Sequence, residues 1–371
     1  MQIAFLNIYG GKVSRGAETA VYELAKRLTK EHKVTVFQSE RSVNVAYHVE
    51  KISGIPFVST DVSHGKLLKV LKKFYLDPYS LLSLYFSLRC LPKLLTHTFD
   101  ILIPINGFWQ ILICKIVKFF KGGKVVVMGY AGIGTDDYIN VLLAPDAFFA
   151  MTHVAAKWAK TVNNGVHVGV VPGGVDMKVF NPHVSPMQLA VQSPRVLTVA
   201  ALVPYKRVDL TIKAVSKLEN VSLVVAGNGP LKEEIESLGK KLLGDRFERI
   251  DISFDQLPSL YTACDVFTLA SMHSTESLFK KITKQSPSEA FGIVYVEAMA
   301  SGLPVVAPHD ALRKEIVAEA GILVDCTDVE EYAQAIKQAL TKKWGSTPQK
   351  QARKFEWEKI ANDFSIVLKK L

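Results

Sequence analysis

Short runs of aliphatic and β-branched residues alternate along the chain with longer segments in which apolar residues recur every three or four positions. The short runs predict strands, among them QIAFLNI, KVTVFQS, DILIPI, KVVVMGY, VGVVPGG, RVLTVAAL, VSLVVAGNG, RIDISF, DVFTLAS, LPVVAPH and AGILVD. The longer segments predict amphipathic helices at residues 18–31, 207–218, 231–243 and 329–341. Regular alternation of strands and helices indicates an α/β fold with parallel, doubly wound sheets.

The chain has 371 residues, which is too long for one ordinary core and favours two domains. A proline-containing stretch without periodicity at 180–194 predicts a hinge, with one domain at 1–185 and a second at 186–349. Residues 350–371 carry an apolar stripe at helical spacing and can pack against either domain. The first strand lacks the basic start of a signal peptide, and no apolar run reaches about 18 residues, so we expect a cytoplasmic protein.

Charge is distributed unevenly between the halves. Residues 1–185 hold 21 Lys and Arg against 12 Asp and Glu, whereas the remainder holds 24 against 23. A basic N-terminal half fits an anionic membrane, an acidic substrate or nucleic acid, but no nucleic-acid motif accompanies the charge and we expect no such partner. The four cysteines are scattered and form neither a CxxC pair nor a Cys/His cluster, which predicts reduced, buried thiols and no zinc site.

Two glutamates stand eight positions apart in the apolar stretch SEAFGIVYVEAMASGLP. The flanking glycines predict a short helix over about 292–301, with Glu289 in the loop before it and Glu297 inside it. The amides at the helix start can hold a phosphate, and the two carboxylates can accept hydrogen bonds from neutral sugar hydroxyls. The alternative is that Glu297 is a solvated helix residue and that Glu289 only stabilises the helix start through its interaction with the helix dipole.

Two cations follow a strand in VAALVPYKRVDLTIKAV, where Lys206 and Arg207 precede a helix. Ligands of doubly wound folds bind at such strand ends, and these cations can neutralise phosphates there, unless they belong to a solvated basic turn. In VVAGNGP, Gly227 and Gly229 follow another strand, but Lys232 occupies the third position of a dinucleotide fingerprint. We therefore expect a tight turn and no dehydrogenase.

Taken together in this order along the chain, RGAE, VVPGGVD, PYKRVD and the two spaced glutamates resemble glycosyltransferase family 4. The resemblance covers essentially the whole chain. It implies a GT-B fold, in which two Rossmann-like domains face each other across a cleft. It also implies that the last helix, at 350–371, crosses back to the first domain.

The resemblance assigns roles to individual residues. Glu297 would bind the ribose of a nucleotide sugar, and Glu289 would contact hydroxyls of the transferred sugar. Gly16 would let the first domain approach the donor phosphates. The backbone that would meet the sugar and the diphosphate belongs to Phe291, Gly292, Ile293 and Val294.

The implied reaction is transfer of a hexose from a nucleoside-diphosphate sugar to a hydroxyl acceptor, with retention of configuration. The expected catalytic residues are Lys206, which would hold the diphosphate, Arg207 and Glu289. Catalysis would be mainly electrostatic, without a cofactor or metal, because the cations and helix amides stabilise the leaving diphosphate. Asp136 and Asp137 are adjacent and do not form a D-x-D motif, so we expect no metal there. The donor is expected to be GDP-mannose or a UDP-sugar, with PYKRVD resembling mannosyltransferase members.

The chain departs from the family pattern at three places. Ala201 stands where the family often has an arginine, and Arg207 is a candidate replacement. Residues 272–287 are an apparent insertion, which fits a loop over the donor site or a surface excursion. Gly129 and Tyr130 stand where many members have a histidine on the acceptor side. The alternatives to a transferase are therefore a catalytically inactive nucleotide-sugar-binding protein and a sugar-nucleotide epimerase.

A basic, apolar segment at 64–95 bears on the acceptor. Its start predicts an amphipathic helix with cations on one face and apolar residues on another, namely Lys66, Lys69 and Lys73 against Leu67, Val70, Leu71 and Phe74. Such a helix can lie on an anionic membrane, which would place the protein at the inner face beside a lipid-linked acceptor. The alternative is an ordinary crossover helix whose apolar face is core.

Overall fold

The computed structural model describes residues 1–12, 16–42, 44–58, 66–272 and 289–371; the side chains of Lys66 and Lys69 are also outside this description. Except for Met272, the apparent insertion at 272–287 lies outside the described residues. The chain divides into two compact units. The first contains Met1–Pro172 and Trp357–Leu371, and the second contains Gly173–Glu356.

The first unit is built on a seven-stranded sheet in the order β3-β2-β1-β4-β5-β6-β7, with every pairing parallel. Its strands are β1 Gln2–Leu6, β2 Lys33–Gln38, β3 His48–Lys51, β4 Ile101–Pro104, β5 Lys124–Gly129, β6 Ala147–Ala150 and β7 His167–Val170. Its helices are α1 Gly16–Leu28, α2 Lys66–Lys73, α3 Pro78–Thr96, α4 Phe108–Lys121, α5 Thr135–Leu142, α6 His153–Val162 and, at the end of the chain, α14 Trp357–Leu368. The central strands are buried along their length, as parallel strands covered on both faces must be.

The last helix belongs to the first unit, as the resemblance implied. On α14, Phe364 packs edge-on against Phe149 at a ring-centroid distance of 5.3 Å. The Ser365 hydroxyl contacts the buried His32 ring nitrogen at 2.7 Å and donates to Glu31 at 2.7 Å. Apolar packing and polar contacts therefore both attach the last helix to the rest of the first unit.

The second unit has a six-stranded parallel sheet in the order β10-β9-β8-β11-β12-β13. Its strands are β8 Arg195–Val199, β9 Ser222–Ala226, β10 Phe247–Ile250, β11 Val266–Thr268, β12 Val305–Pro308 and β13 Gly321–Val324. Its helices are α7 Val208–Ser216, α8 Lys232–Leu243, α9 Leu257–Thr262, α10 Ile293–Ala300, α11 Ala311–Val317, α12 Val329–Thr341 and α13 Thr347–Ala352. The strand order reverses direction between β8 and β11, and ligands of doubly wound sheets bind at such a point.

The boundary between the units lies earlier than predicted. The second unit begins at Gly173, not at 186, and ends at Glu356, not at 349. The segment predicted as a hinge is bonded into this unit, because the amide of Met187 donates to the Ser259 carbonyl at 3.0 Å and the amide of Ala190 donates to Glu248 at 2.8 Å. Proline content alone did not distinguish a hinge between the units from a segment that belongs to one of them.

The four cysteines are free and buried, as their scattered positions predicted. Burial raises the pKa of the Cys264 and Cys326 thiols to about 12. Within the described part of the chain, no helix is both long enough and apolar enough to cross a bilayer.

Candidate functional site

Polar side chains from three segments of the second unit meet where β8 and β11 end. The loop after β8 forms a 3-10 turn at Pro204–Lys206, and Ser271 lies just beyond β11. Glu289 lies in the loop that leads into α10. Because β8 and β11 are neighbours in the sheet, their carboxyl ends bring these loops to the point where the strand order reverses.

Lys206 and Glu289, both predicted site residues, form an ion pair. The Lys206 Nζ lies 2.6 Å from the Glu289 Oε1, and the two side chains are only 14% and 15% exposed. The other carboxylate oxygen of Glu289 accepts from the Ser271 hydroxyl and, at 3.0 Å, from Nη2 of Arg313. Glu289 is therefore held by two cations and a hydroxyl in a nearly buried position.

The charge state of Glu289 follows from these contacts. Burial alone would raise its pKa, but Lys206 and Arg313 favour the carboxylate and lower the pKa to about 2. Glu289 is thus ionised over the physiological range and acts as a hydrogen-bond acceptor, not as an acid.

The start of α10 is defined by a glycine cap and a buried aromatic residue before it. Gly292 caps the helix with φ 88°, and a Cβ at this position would lie 2.7 Å from the Tyr295 ring. Phe291 is buried and packs against Phe355 at 5.5 Å between ring centroids, which anchors the loop before the helix. Ile293 and Val294 form the first turn, whose amides have no partner within the helix. The predicted helix at about 292–301 agrees with α10 to within one residue at each end.

Glu297 lies on α10 and is 4% exposed, so it is not the solvated helix residue of the alternative interpretation. Its Oε2 accepts a hydrogen bond from the Tyr261 hydroxyl at 2.9 Å. Burial raises the pKa of Glu297 to about 7, despite this bond, which favours the ionised form. A buried carboxyl group of this kind on a helix beside the site is suited to receive hydroxyl donors.

Arg207 pairs with an acid other than Glu289. Its guanidinium binds Asp209 through both carboxylate oxygens, at 3.0 and 3.1 Å. Its backbone is left-handed, with φ 48°, and forms the junction between the 3-10 turn and α7. The structure therefore brings Lys206 and Glu289 together without Arg207.

The loops after β8 and β9 approach closely at the two glycines of VVAGNGP. A Cβ on Gly227 would lie 1.9 Å from the Ala200 carbonyl oxygen, and one on Gly229 would lie 2.6 Å from that of Leu202. The prediction of close backbone approach at these glycines is confirmed. Ala201 lies between the two approached carbonyls and is exposed.

The remaining predicted residues lie in the first unit. Gly16 begins α1, and a Cβ there would meet no atom within 4 Å. Asp136 accepts a hydrogen bond from the Tyr75 hydroxyl at 3.3 Å, whereas Asp137 is buried and accepts from Asn140 at 3.1 Å. Burial raises the pKa of Asp137 to about 8. Over the described ranges, no group of three or more His, Cys, Asp or Glu side chains is arranged to hold a metal.

Comparison with known sequences identifies the family of the second unit. Residues 185–356 match the family model described as glycosyl transferases group 1. The second unit is a group 1 glycosyl transferase domain. The matched range contains Lys206, Glu289 and Arg313, so the ion-pair cluster lies inside the glycosyl transferase domain. The resemblance to glycosyltransferase family 4 found in the motifs is confirmed at this level.

Two relatives and one solved structure are also similar to this chain. The chain is 26% identical over 212 residues to a GDP-mannose-dependent α-(1-6)-phosphatidylinositol monomannoside mannosyltransferase of Mycobacterium tuberculosis, covering 52% of this chain and 51% of that protein. It is 30% identical over 212 residues to a D-inositol 3-phosphate glycosyltransferase of Mycolicibacterium smegmatis, covering 53% of this chain and 45% of that protein. The chain thus spans about half the length of these relatives. An Anabaena protein, HepE, solved in complex with UDP and glucose, aligns over 100% of both chains with a TM-score of 0.73 and 18% identity.

These comparisons confirm the GT-B fold class that the motifs implied. The full-length alignment covers both units, each of which has its own parallel sheet with helices between the strands.

Three residues of the site were missed by sequence reasoning. Ser271 and Arg313 contact Glu289, and Tyr261 contacts Glu297. Arg313 is separated from Glu289 by 24 positions and lies in a helix after a different strand. Its position just after β12 could have indicated its place in the site, because β12 ends on the same edge of the sheet as the neighbouring parallel strands.

Proposed function

We propose that the chain transfers a hexose from a nucleoside-diphosphate sugar to a hydroxyl acceptor with retention of configuration. The observation that carries this proposal is the nearly buried Lys206–Glu289 pair, at the switch point of the sheet and beside the start of α10. A cation and a helix N-terminus bind phosphates, and an ionised carboxylate binds hydroxyls, so together they match a sugar diphosphate.

In the proposed mechanism, Lys206 and the first amides of α10 stabilise the diphosphate as it leaves. The bond between the anomeric carbon and the phosphate oxygen breaks. The acceptor oxygen then forms its bond to that carbon on the face from which the phosphate leaves. The acceptor proton passes to the departing phosphate oxygen, so no protein nucleophile is needed. Glu289 accepts hydrogen bonds from the sugar hydroxyls, and Glu297 accepts them from the ribose.

The proposal also covers Arg207, Gly16 and the absence of a cofactor. Arg207 supplies a second charge to the diphosphate only by leaving Asp209, to which it is bound. Gly16 allows close approach of the donor phosphates to the first unit. No metal or other cofactor is required, because the cations and the helix amides supply the positive charge.

The donor is proposed to be GDP-mannose or a UDP-sugar. One relative is named as GDP-mannose-dependent, and HepE was solved with UDP. These two proteins favour different bases, so the proposal extends to a nucleoside diphosphate and leaves its base to experiment.

The acceptor is proposed to be a sugar or a lipid-linked glycan, reached from an anionic membrane surface on the cytoplasmic side. The support is α2 and the residue after it, because Leu67 and Val70 on the helix and Phe74 just beyond it are exposed, as are Lys72 and Lys73. Exposure of these apolar side chains argues against the alternative in which this face of α2 is core.

A donor screen tests the proposal. The protein is incubated with a panel of UDP- and GDP-sugars and hydroxyl acceptors, released nucleoside diphosphate is measured by mass spectrometry, and the anomeric configuration of the product is determined by NMR. We expect release with one donor and a product of retained configuration. Binding without hydrolysis or transfer would favour an inactive binding protein, to which Ala201 points, and an isomerised donor would favour an epimerase.

A further inference from the structure

Arg313 connects three segments of the glycosyl transferase domain through one guanidinium. Its Nη1 donates to Asp310, the residue that caps α11, at 2.5 Å. Its Nη2 donates to the Ser271 hydroxyl at 2.6 Å, to the Ser271 carbonyl at 3.0 Å and to Glu289 at 3.0 Å. The side chain is 3% exposed, so it cannot reach a ligand without leaving these partners.

The two cations around Glu289 differ in mobility. The Lys206 ammonium contacts one carboxylate oxygen and stands at the end of a flexible side chain. The planar Arg313 guanidinium contacts the other oxygen and is held by several acceptors. The three side chains together carry one net positive charge. If Lys206 moves onto a phosphate, Glu289 still has a buried cationic partner and is not left as an unpaired buried charge.

We propose that Arg313 is a positioning residue that keeps Glu289 ionised and oriented, and thereby frees Lys206 to bind the donor's diphosphate. This inference rests on the proposed function of the site. Without Arg313, Lys206 becomes the only cation on Glu289, and a diphosphate has to compete with a buried carboxylate for it. Arg313 thus acts on the donor through Glu289 and Lys206, not by touching it.

The shape of the side chain matters as well as its charge. A guanidinium can bind Asp310 with one nitrogen and both Ser271 and Glu289 with another, but a lysine ammonium concentrates its donors on a single atom. Arg313→Lys should therefore keep most of the electrostatic stabilisation of the Glu289 carboxylate but lose part of its orientation, whereas Arg313→Gln should lose the contribution of residue 313 to both.

The first test needs no ligand. Side-chain carboxyl carbons are labelled with ¹³C, the Glu289 signal is assigned with Glu289→Gln, and the pKa of Glu289 is read from an NMR titration. From a wild-type value of about 2, Arg313→Gln should raise this pKa by roughly one to three pH units, and Arg313→Lys by less. Arg249→Gln is the matched control, because Arg249 is also nearly buried and pairs with two acids, Glu236 and Asp251. It should leave the pKa of Glu289 unchanged even if it destabilises the fold.

The second test is a double-mutant cycle on the affinity for UDP and GDP, measured by calorimetry. We expect Arg313→Gln to weaken binding roughly tenfold and to add little in a chain that already carries Lys206→Met, because both changes act through Lys206. Arg313→Lys should recover part of the affinity, and this distinguishes positioning from a general loss of folding.

The outcomes separate the inference from the function on which it rests. A wild-type chain that binds nucleoside diphosphate, with a Glu289 pKa unmoved by Arg313→Gln or with fully additive losses in the cycle, overturns the inference alone. A wild-type chain that binds neither UDP nor GDP overturns the proposed function and the role of Arg313 toward the donor together, whatever the titration shows.

Discussion

At the scale of the residue, the two glutamates of the site have opposite electrostatic environments. Glu289 has two cations and a pKa of about 2, whereas Glu297 has a tyrosine hydroxyl and burial that raises its pKa to about 7. Two carboxyl groups eight positions apart thus differ in charge at neutral pH. Glu289 is therefore suited to accept hydrogen bonds at any physiological pH, whereas the charge of Glu297 is suited to change with pH and with a bound ligand.

Glu297 should make the stability of the fold depend on pH. Because burial raises its pKa above the unfolded value near 4.5, the folded protein keeps a proton that the unfolded chain has lost, and stability falls as pH rises from 4.5 through 7. The loss attributable to Glu297 is at most about 3 kcal/mol. Urea unfolding at pH 5 and pH 7.5 should show this loss in the wild type but not in Glu297→Gln.

The control for this measurement is Glu330→Gln, which removes a largely exposed carboxylate paired with Lys217. It should retain the pH dependence of the wild type.

A second measurement concerns the proposed ribose contact of Glu297. Nucleotide affinity should rise with pH up to about 7 in the wild type and stay flat in Glu297→Gln, since hydroxyl donors favour the ionised form. Identical pH dependence in wild type and Glu297→Gln would remove both assignments.

At the scale of the element, periodicity predicted the buried core well. The helix predicted at 329–341 is α12 Val329–Thr341, and the central strands lie where apolar runs predicted them. Two strands were missed. The edge strand β3 has the sequence HVEK and shows little apolar alternation, while β6, AFFA, is too short to be separated from its surroundings by pattern. The strand predicted in RIDISF lies earlier, at Phe247–Ile250.

The motifs pointed to two residues of the ion-pair cluster but not to the contacts that join them. Motifs pointed to Lys206 and Glu289, yet their ion pair joins positions that are 83 residues apart. The structure pairs Arg207 with Asp209, two residues away, and the motifs did not predict this contact. Arg313 could not be found from spacing, because its contact depends on strand order, which brings the ends of β11 and β12 to one edge.

At the scale of the whole molecule, charge and exposed apolar surface coincide in the first unit. Residues 1–185 carry most of the net positive charge, and the unit exposes Phe74 and, at the end of α4, Phe119 and Phe120. A basic surface with exposed apolar side chains binds anionic lipid through charge and burial together.

Vesicle binding checks the proposed membrane surface. Replacing Lys72 and Lys73 of α2 with glutamate should reduce co-sedimentation with phosphatidylglycerol-containing vesicles by roughly tenfold or more, since each lysine near an anionic surface contributes about 1 kcal/mol. The matched control reverses Lys240 and Lys241, a basic pair in the last turn of α8 in the second unit. Equal binding by the wild type and the α2 variant, or equal losses in both variants, would contradict the proposed surface.

The central claim is that Lys206 binds the diphosphate of the donor, and nucleotide affinity tests it most directly. UDP and GDP are titrated into the wild type, Lys206→Met and Lys217→Met, because Lys206 and Lys217 each lie 2.6 Å from a glutamate oxygen but only Lys206 lies at the site. The account predicts that the wild type binds at least one nucleotide, that Lys206→Met weakens it roughly 10- to 100-fold, and that Lys217→Met has no effect. Equal affinity in Lys206→Met and the wild type would contradict it.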